Sequence, residues 1–428
     1  MLRRITATFL AGVLFTALWT YGAVNAQMVN PSIDKPNKPF SYFSEPTDEI
    51  GVMDGKWGTE VTPEGYLYTG YGEFMFFTGN PPGPVSQRVK TLLDGYLPVI
   101  VYHFRRQDIE YSLTIFAATL DGNPGSPLLN FIRVAMTNLS RHQRAAFLGV
   151  GVRYQNDVNT DGDAGDYRFI RPAKSEALGG YEQAGVVFNP NWVYGFSGDT
   201  FLRSDSVMYL FPAEPKPELM MTAKSEYNYP QDLTPRKMTV LETTPVGIVN
   251  YRMILRPGEK RILDFKMPYA PIPANDPLVG ELRTAKFDTY LKRTVAFWNG
   301  ILSRGIEIHI PESKVENTFK ASLVYDLIAR NKEDGYYIQK VNDLHYHAFW
   351  IRDAVHIIHM YLLSGYPEIA RQCLDFFPGW QRPDGNFVSN GGQFDGWGQT
   401  MWIYGQYYRF THDKEFAGSC RNYLQTIQ

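Results

Sequence analysis

Cysteine is nearly absent from this 428-residue chain, which has two, Cys373 and Cys420. Two are too few for a disulfide framework to hold a protein of this size. Both fall in stretches with helical spacing, where either one bridge or two buried thiols would fit. An excess of basic residues is also missing. Lys and Arg number 42 against 44 Asp and Glu, a net charge of −2, so the broad basic surface of a nucleic-acid binder is excluded. There is no internal repeat, and no cofactor is expected, a calcium ion aside.

What the chain does have is aromatic residues, 15% of the total, with 28 Tyr, 27 Phe and 8 Trp. Most aromatics in a large protein are core, but exposed rings make platforms for sugar faces. The chain also opens on a targeting pattern. "MLRR" is a charged n-region, "ITATFLAGVLFTALWTYGAV" an apolar run, and Val24 and Ala26 give the small-residue spacing of a signal-peptidase site. Residues 1–26 are therefore expected to be a signal peptide. The mature protein is expected to be periplasmic or secreted, with no membrane segment after cleavage.

From 27 to 273 the pattern is β. In "IEYSLTIFAATL", Ile109, Tyr111, Leu113 and Ile115 alternate with Glu110, Ser112 and Thr114. Many such runs broken by Gly, Pro and Asn turns predict an N-terminal antiparallel β-sandwich. The Pro-rich "PYAPIPANDP" then marks a change of period, and 274–313 reads as a linker with one helix over 279–305. From 314 to 428 the spacing is helical, with about five helices joined by Gly- and aromatic-rich loops. The chain reaches Gln428 inside an amphipathic stretch, and the helical part is expected to be incomplete there.

One stretch stands out, "HYHAFWIRDAVHIIHMYLLSG" (345–365). The adjacent Arg352 and Asp353 open a strongly apolar helix beside Trp350. Burying charge is costly unless it is paired, so the pair is either a clamp or a polar binding site. Arg offers a rigid donor fork and Asp accepts from hydroxyls, which suits a polyol. The loop 379–399 carries six glycines with Asp384, Asp395, Trp397 and Gln399, and long polar–aromatic loops on a helical scaffold are typically functional. A second candidate, "DVNTDGDAGD", places Asp157, Asn159 and Asp161 as calcium ligands at the start of an EF-hand-like loop, though Arg168 stands where its last acid belongs. An acidic hairpin turn is the other reading. His345, His347, His356 and His359 have too few companions for zinc and read as interior polar filling. Asn138 begins a glycosylation sequon.

"FWIRDAV", the "LLSGYPEIA" hairpin, "QRPDG" and "DGWGQTMWIYGQYY" together resemble the first hairpins of the six-hairpin glycosidases, glucoamylases above all. The resemblance covers about 284–428 by motif, and the front half by architecture only. It implies a β-sandwich followed by the first part of an (α/α) six-hairpin toroid. It also implies that Trp350, Arg352 and Asp353 bind the terminal sugar in the innermost subsite, with Asp384, Asp395, Trp397 and Gln399 as further binding residues. No residue matches the family's general acid or base, whose places would lie beyond Gln428. The catalytic residues are therefore unknown, and the chain as given is expected to be inactive. The resemblance thus implies an exported glycoside hydrolase acting on terminal residues of an oligosaccharide, an α-glucoside best. A disaccharide phosphorylase and a non-catalytic glycan-binding protein are the alternatives.

Overall fold

A computed structural model describes residues 48–62, 64–80, 82–85, 90–154, 186, 189–222, 236–237, 244–343, 347–389 and 394–424. The expected signal peptide and the calcium ligands Asp157, Asn159 and Asp161 lie outside the described residues.

Two antiparallel sheets form the first part. The eight-stranded sheet runs 48–50, 59–61, 67–68, 73–78, 144–153, 246–255, 218–222, with 83–84 beside 73–78. The ten-stranded sheet runs 236–237, 193–197, 200–203, 206–210, 260–268, 129–138, 109–118, 97–106, 91–93, with 272–273 beside 206–210. Tight turns set the registers. Gln107 and Asp108 both take positive φ, 51° and 65°, between the 97–106 and 109–118 strands. Two left-handed residues in a row are the geometry that matches strand twist in a two-residue hairpin.

One core lies between the sheets, with Phe74, Phe76, Val150 and Tyr251 meeting Tyr111, Ile132, Leu263 and Phe265. The ten-stranded sheet is also covered on its other face. Leu97, Val99, Phe116 and Phe131 belong to a second core shared with the helices. This explains the 109–118 strand, which alternates at first and then buries Ile115, Phe116, Ala117 and Ala118 in succession. A strand covered on both faces loses its period of two.

Seven helices follow among the described residues: α1 Pro277–Thr284, α2 Phe287–Leu302, α3 Ser313–Ile328, α4 Ile351–Leu363, α5 Pro367–Leu374, α6 Gly396–Thr411 and α7 Lys414–Leu424. The single linker helix expected over 279–305 is two. Ala285 and Lys286 are extended, with ψ of 125° each. The break lets Phe287 pack edge-on to Phe116 at 5.1 Å and Tyr290 stack on Phe131 at 4.9 Å. Packing against the sheet overrides a continuous helical pattern.

The helical part also contains a hairpin that the helical reading missed, Arg330–Glu333 with Tyr336–Gln339. Its turn is Asp334–Gly335, at φ 49° and 87°. The hairpin docks on the segment after the first strand. Asn331 Nδ2 donates to the carbonyls of Gly55 and Lys56, 2.7 Å each. The buried Arg330 pairs with Asp54 at 2.6 Å and donates to Gln372 at 2.7 Å.

Asn138 is fully buried and its amide donates to the carbonyls of His142 and Leu255 at 2.8 and 3.0 Å. The sequon is thus closed to modification in the folded chain. Cys373 and Cys420 are buried free thiols, and burial pushes the Cys373 thiol up to about 12. No helix among the described residues is long and apolar enough to cross a membrane.

Candidate functional site

The site is built on the N-terminus of α4. Its buried face is Ile351, Ala354, Val355, Ile358, Tyr361 and Leu362, one stripe at helical spacing. The opposite face is polar and open, with Arg352, Asp353 and His356 exposed. The charged pair at the helix mouth is therefore not buried, and no desolvation cost has to be explained. Nor do its members pair with each other. Adjacent helical residues point in different directions.

The partner of Arg352 is Asp395, immediately before α6. Nε and Nη2 of Arg352 lie 3.0 and 2.9 Å from Asp395 Oδ2. Gln399 Nε2 donates to the same oxygen at 2.8 Å, one helical turn on. Asp395 thus holds both side chains, and both groups of the ion pair are about half exposed. Asp353 carries no hydrogen bond or ion pair among the described residues, so its carboxylate is free to accept two hydroxyl hydrogens.

Trp350 is the residue before α4 and is largely buried, at 8% exposure. The helix end has no side-chain cap of its own. Instead the Ile351 N–H donates to Ser389 Oγ at 2.9 Å, from the loop before α6. This tie was not legible in the sequence, because a cap is normally sought one residue before its helix. The same loop approaches α6 so closely that a Cβ at Gly396 would run into the Phe387 carbonyl oxygen. Asp384 sits in a tight turn, where its Oδ1 accepts from the Asn386 N–H at 3.0 Å and Arg382 N–H donates to the Asn386 carbonyl at 2.7 Å.

Open aromatic surface surrounds these groups in the sequence. Trp397 is 39% exposed and Phe394 82%. Further along α4 and α6, Trp402 packs against the rings of His356 and His359 at 5.5 and 4.8 Å. His345 lies outside the described residues. His347 is buried away from this surface, stacked on Trp57 at 4.3 Å. Among the described residues no group of three or more His, Cys, Asp and Glu side chains converges as a metal site would.

Chemically, the mouth of α4 offers a positioned guanidinium, two carboxylates and aromatic rings at solvent, a donor–acceptor set suited to a hydroxyl-rich ligand. It does not by itself supply a proton donor and a base on opposite sides of one bond.

No described protein family and no curated protein matches the sequence. Solved structures do. A bacterial glucoamylase, solved in complex with acarbose, matches with a TM-score of 0.51 at 11% identity, over 89% of this chain and 58% of that one. A protein assigned as a kojibiose phosphorylase, from the human microbiome, is more distant, with a TM-score of 0.38 at 11% identity over 84% of this chain and 44% of that one. The chain thus spans 58% of the length of the glucoamylase that it matches. The likeness is one of architecture, and the chain has a glucoamylase-like fold.

Proposed function

We propose that the mouth of α4 binds the terminal residue of an α-linked glucose oligosaccharide, as the innermost subsite of an exported glycoside hydrolase. In this reading α4–α7 belong to an (α/α) toroid, and the acid and base come from elements other than those at the α4 mouth. The observation that carries the reading is the division of labour at one helix end. Arg352 is fixed by Asp395, Asp395 by Gln399, and Asp353 is left open at solvent. A clamp between helices would have consumed both charges. Trp397, open at solvent, supplies an apolar wall of the kind that a sugar ring needs.

The test is calorimetric titration of the chain with acarbose, the compound bound by the glucoamylase of like fold. Asp353→Asn keeps the shape and loses the charge. Charge-assisted hydrogen bonds are worth ~1.5–3 kcal/mol, so the variant should bind roughly ten- to a hundredfold more weakly. Unchanged affinity in Asp353→Asn would sink the assignment. Assays with and without phosphate separate hydrolysis from phosphorolysis, and binding without either favours a glycan-binding protein. Turnover that disappears in Asp384→Asn would give that residue a catalytic role instead of a binding one.

A further inference from the structure

A second concave surface lies where the linker helices meet the sandwich, and it shares no residue with the α4 mouth. One wall is a stripe of α2, formed by Tyr290, Thr294, Phe297, Trp298 and Ile301. These stand at the three- and four-residue spacing of one helix face. The other wall is the end of the 109–118 strand and the turn after it, with Ala118, Thr119, Gly122 and Pro124. Val52 and Met53, from the segment after the 48–50 strand, complete the lining. The cavity measures about 310 Å³.

Its surface is mostly carbon. Trp298 is 1% exposed, while Phe297, edge-on to it at 5.4 Å, is 47% exposed. Ordered water wants two to four polar partners, and few are offered here. An apolar guest that displaces such water is favoured. The hydroxyls of Thr119 and Thr294 are the exceptions. Both residues are more than nine-tenths buried, and neither hydroxyl is hydrogen-bonded among the described residues. They can serve one polar end of a guest.

Charge in the cavity is settled except at one place. Asp54 also lines it, but its carboxylate is taken by Arg330 at 2.6 Å. Asp121, in the adjoining turn, accepts from the Asn123 N–H at 2.9 Å and from the Ser126 hydroxyl at 2.7 Å. Arg293 is exposed on the α2 stripe and lies over the Tyr290 ring at 5.0 Å. Its Nη1 donates to the Leu120 carbonyl at 2.9 Å, and no carboxylate pairs with it among the described residues. The Leu120 bond orients the guanidinium at the rim and leaves N–H groups to spare. A fork of this kind suits a carboxylate.

We propose that this cavity binds a small amphiphile with an apolar chain and a carboxylate head. The chain lies against Ala118, Phe297 and Trp298, and the head sits on Arg293. Binding pockets run from ~300 Å³ upward, so the cavity takes one small molecule and not an oligosaccharide. Its walls also lack the polar groups that a sugar's hydroxyls need.

The test is calorimetric titration with octanoate and with 1-octanol, which has the same chain and no charge. Octanoate should bind saturably at a single site. It should bind about tenfold or more tighter than 1-octanol, the worth of one charge-assisted hydrogen bond. Arg293→Gln, at an exposed position that should fold normally, should abolish that preference. Phe297→Ala, also exposed, should weaken both ligands. Asp353→Asn should bind octanoate as wild type does, and acarbose should not displace it, so this site stands or falls apart from the sugar reading. Absence of saturable octanoate binding overturns the proposal. So do equal affinities for the two ligands, a preference that survives Arg293→Gln, unchanged binding in Phe297→Ala, and displacement of octanoate by acarbose.

Discussion

At the scale of single residues, Arg352 joins Asp395, 43 residues along the chain, rather than its neighbour Asp353. Asp395→Asn should test the wiring. The pair is half exposed, and such pairs contribute ~0–1 kcal/mol to stability. Thermal melting should therefore change little, while acarbose affinity falls as Arg352 swings free. A variant that melts early and binds normally would make the pair architectural. Gly396→Ala should behave differently. Its Cβ would collide with the Phe387 carbonyl oxygen, and overpacking of this kind costs ~1–3 kcal/mol. Both the melting midpoint and the affinity should drop, because the collision displaces the start of α6 beside Asp395.

At the scale of elements, the sequence revealed what is periodic. The strands 97–106 and 109–118 and the helices α3, α4 and α6 follow their spacing. Elements fixed by one turn were harder to see. The 330–339 hairpin had a signal, Asp334–Gly335, the dipeptide that suits a two-residue hairpin turn. It was missed because it sits within helical surroundings. Gln107–Asp108 and Ser204–Asp205 make equally tight turns with positive φ, but neither dipeptide announces it. The N-terminus of α4 depends on Ser389 in the same unannounced way. Ser389→Ala should cost ~0.5–2 kcal/mol, the usual worth of a helix cap. It should also weaken acarbose binding, since the capped turn carries Arg352 and Asp353. Melting curves and titrations on one preparation would check both effects. Full retention of stability would mean that water replaces the hydroxyl without loss.

At the scale of the whole molecule, sandwich and helices share more than a boundary. Leu97, Val99, Phe116 and Phe131 of the ten-stranded sheet lie in one core with Val355, Ile358, Tyr361 and Tyr404 of the helical part. Such a core cannot be divided without exposing both sides, so the chain should unfold in a single cooperative transition. The ion pair of Asp54 and Arg330 crosses the same junction, with the arginine side chain 1% exposed. Arg330 also lies over the Tyr337 ring at 4.5 Å, so one residue ties the hairpin, α5 and the first sheet together. Truncating it leaves Asp54 without its cation in a largely dry place. Breaking a buried pair from one side costs ~3–5 kcal/mol, so Arg330→Ala should lower the single midpoint by many degrees. Arg330→Met with Asp54→Leu removes both charges and keeps apolar bulk, and should recover much of the loss. Calorimetry decides the matter. If wild type melts in two separate steps and Arg330→Ala shifts only one of them, sheet and helices are independent units and the shared core does not bind them.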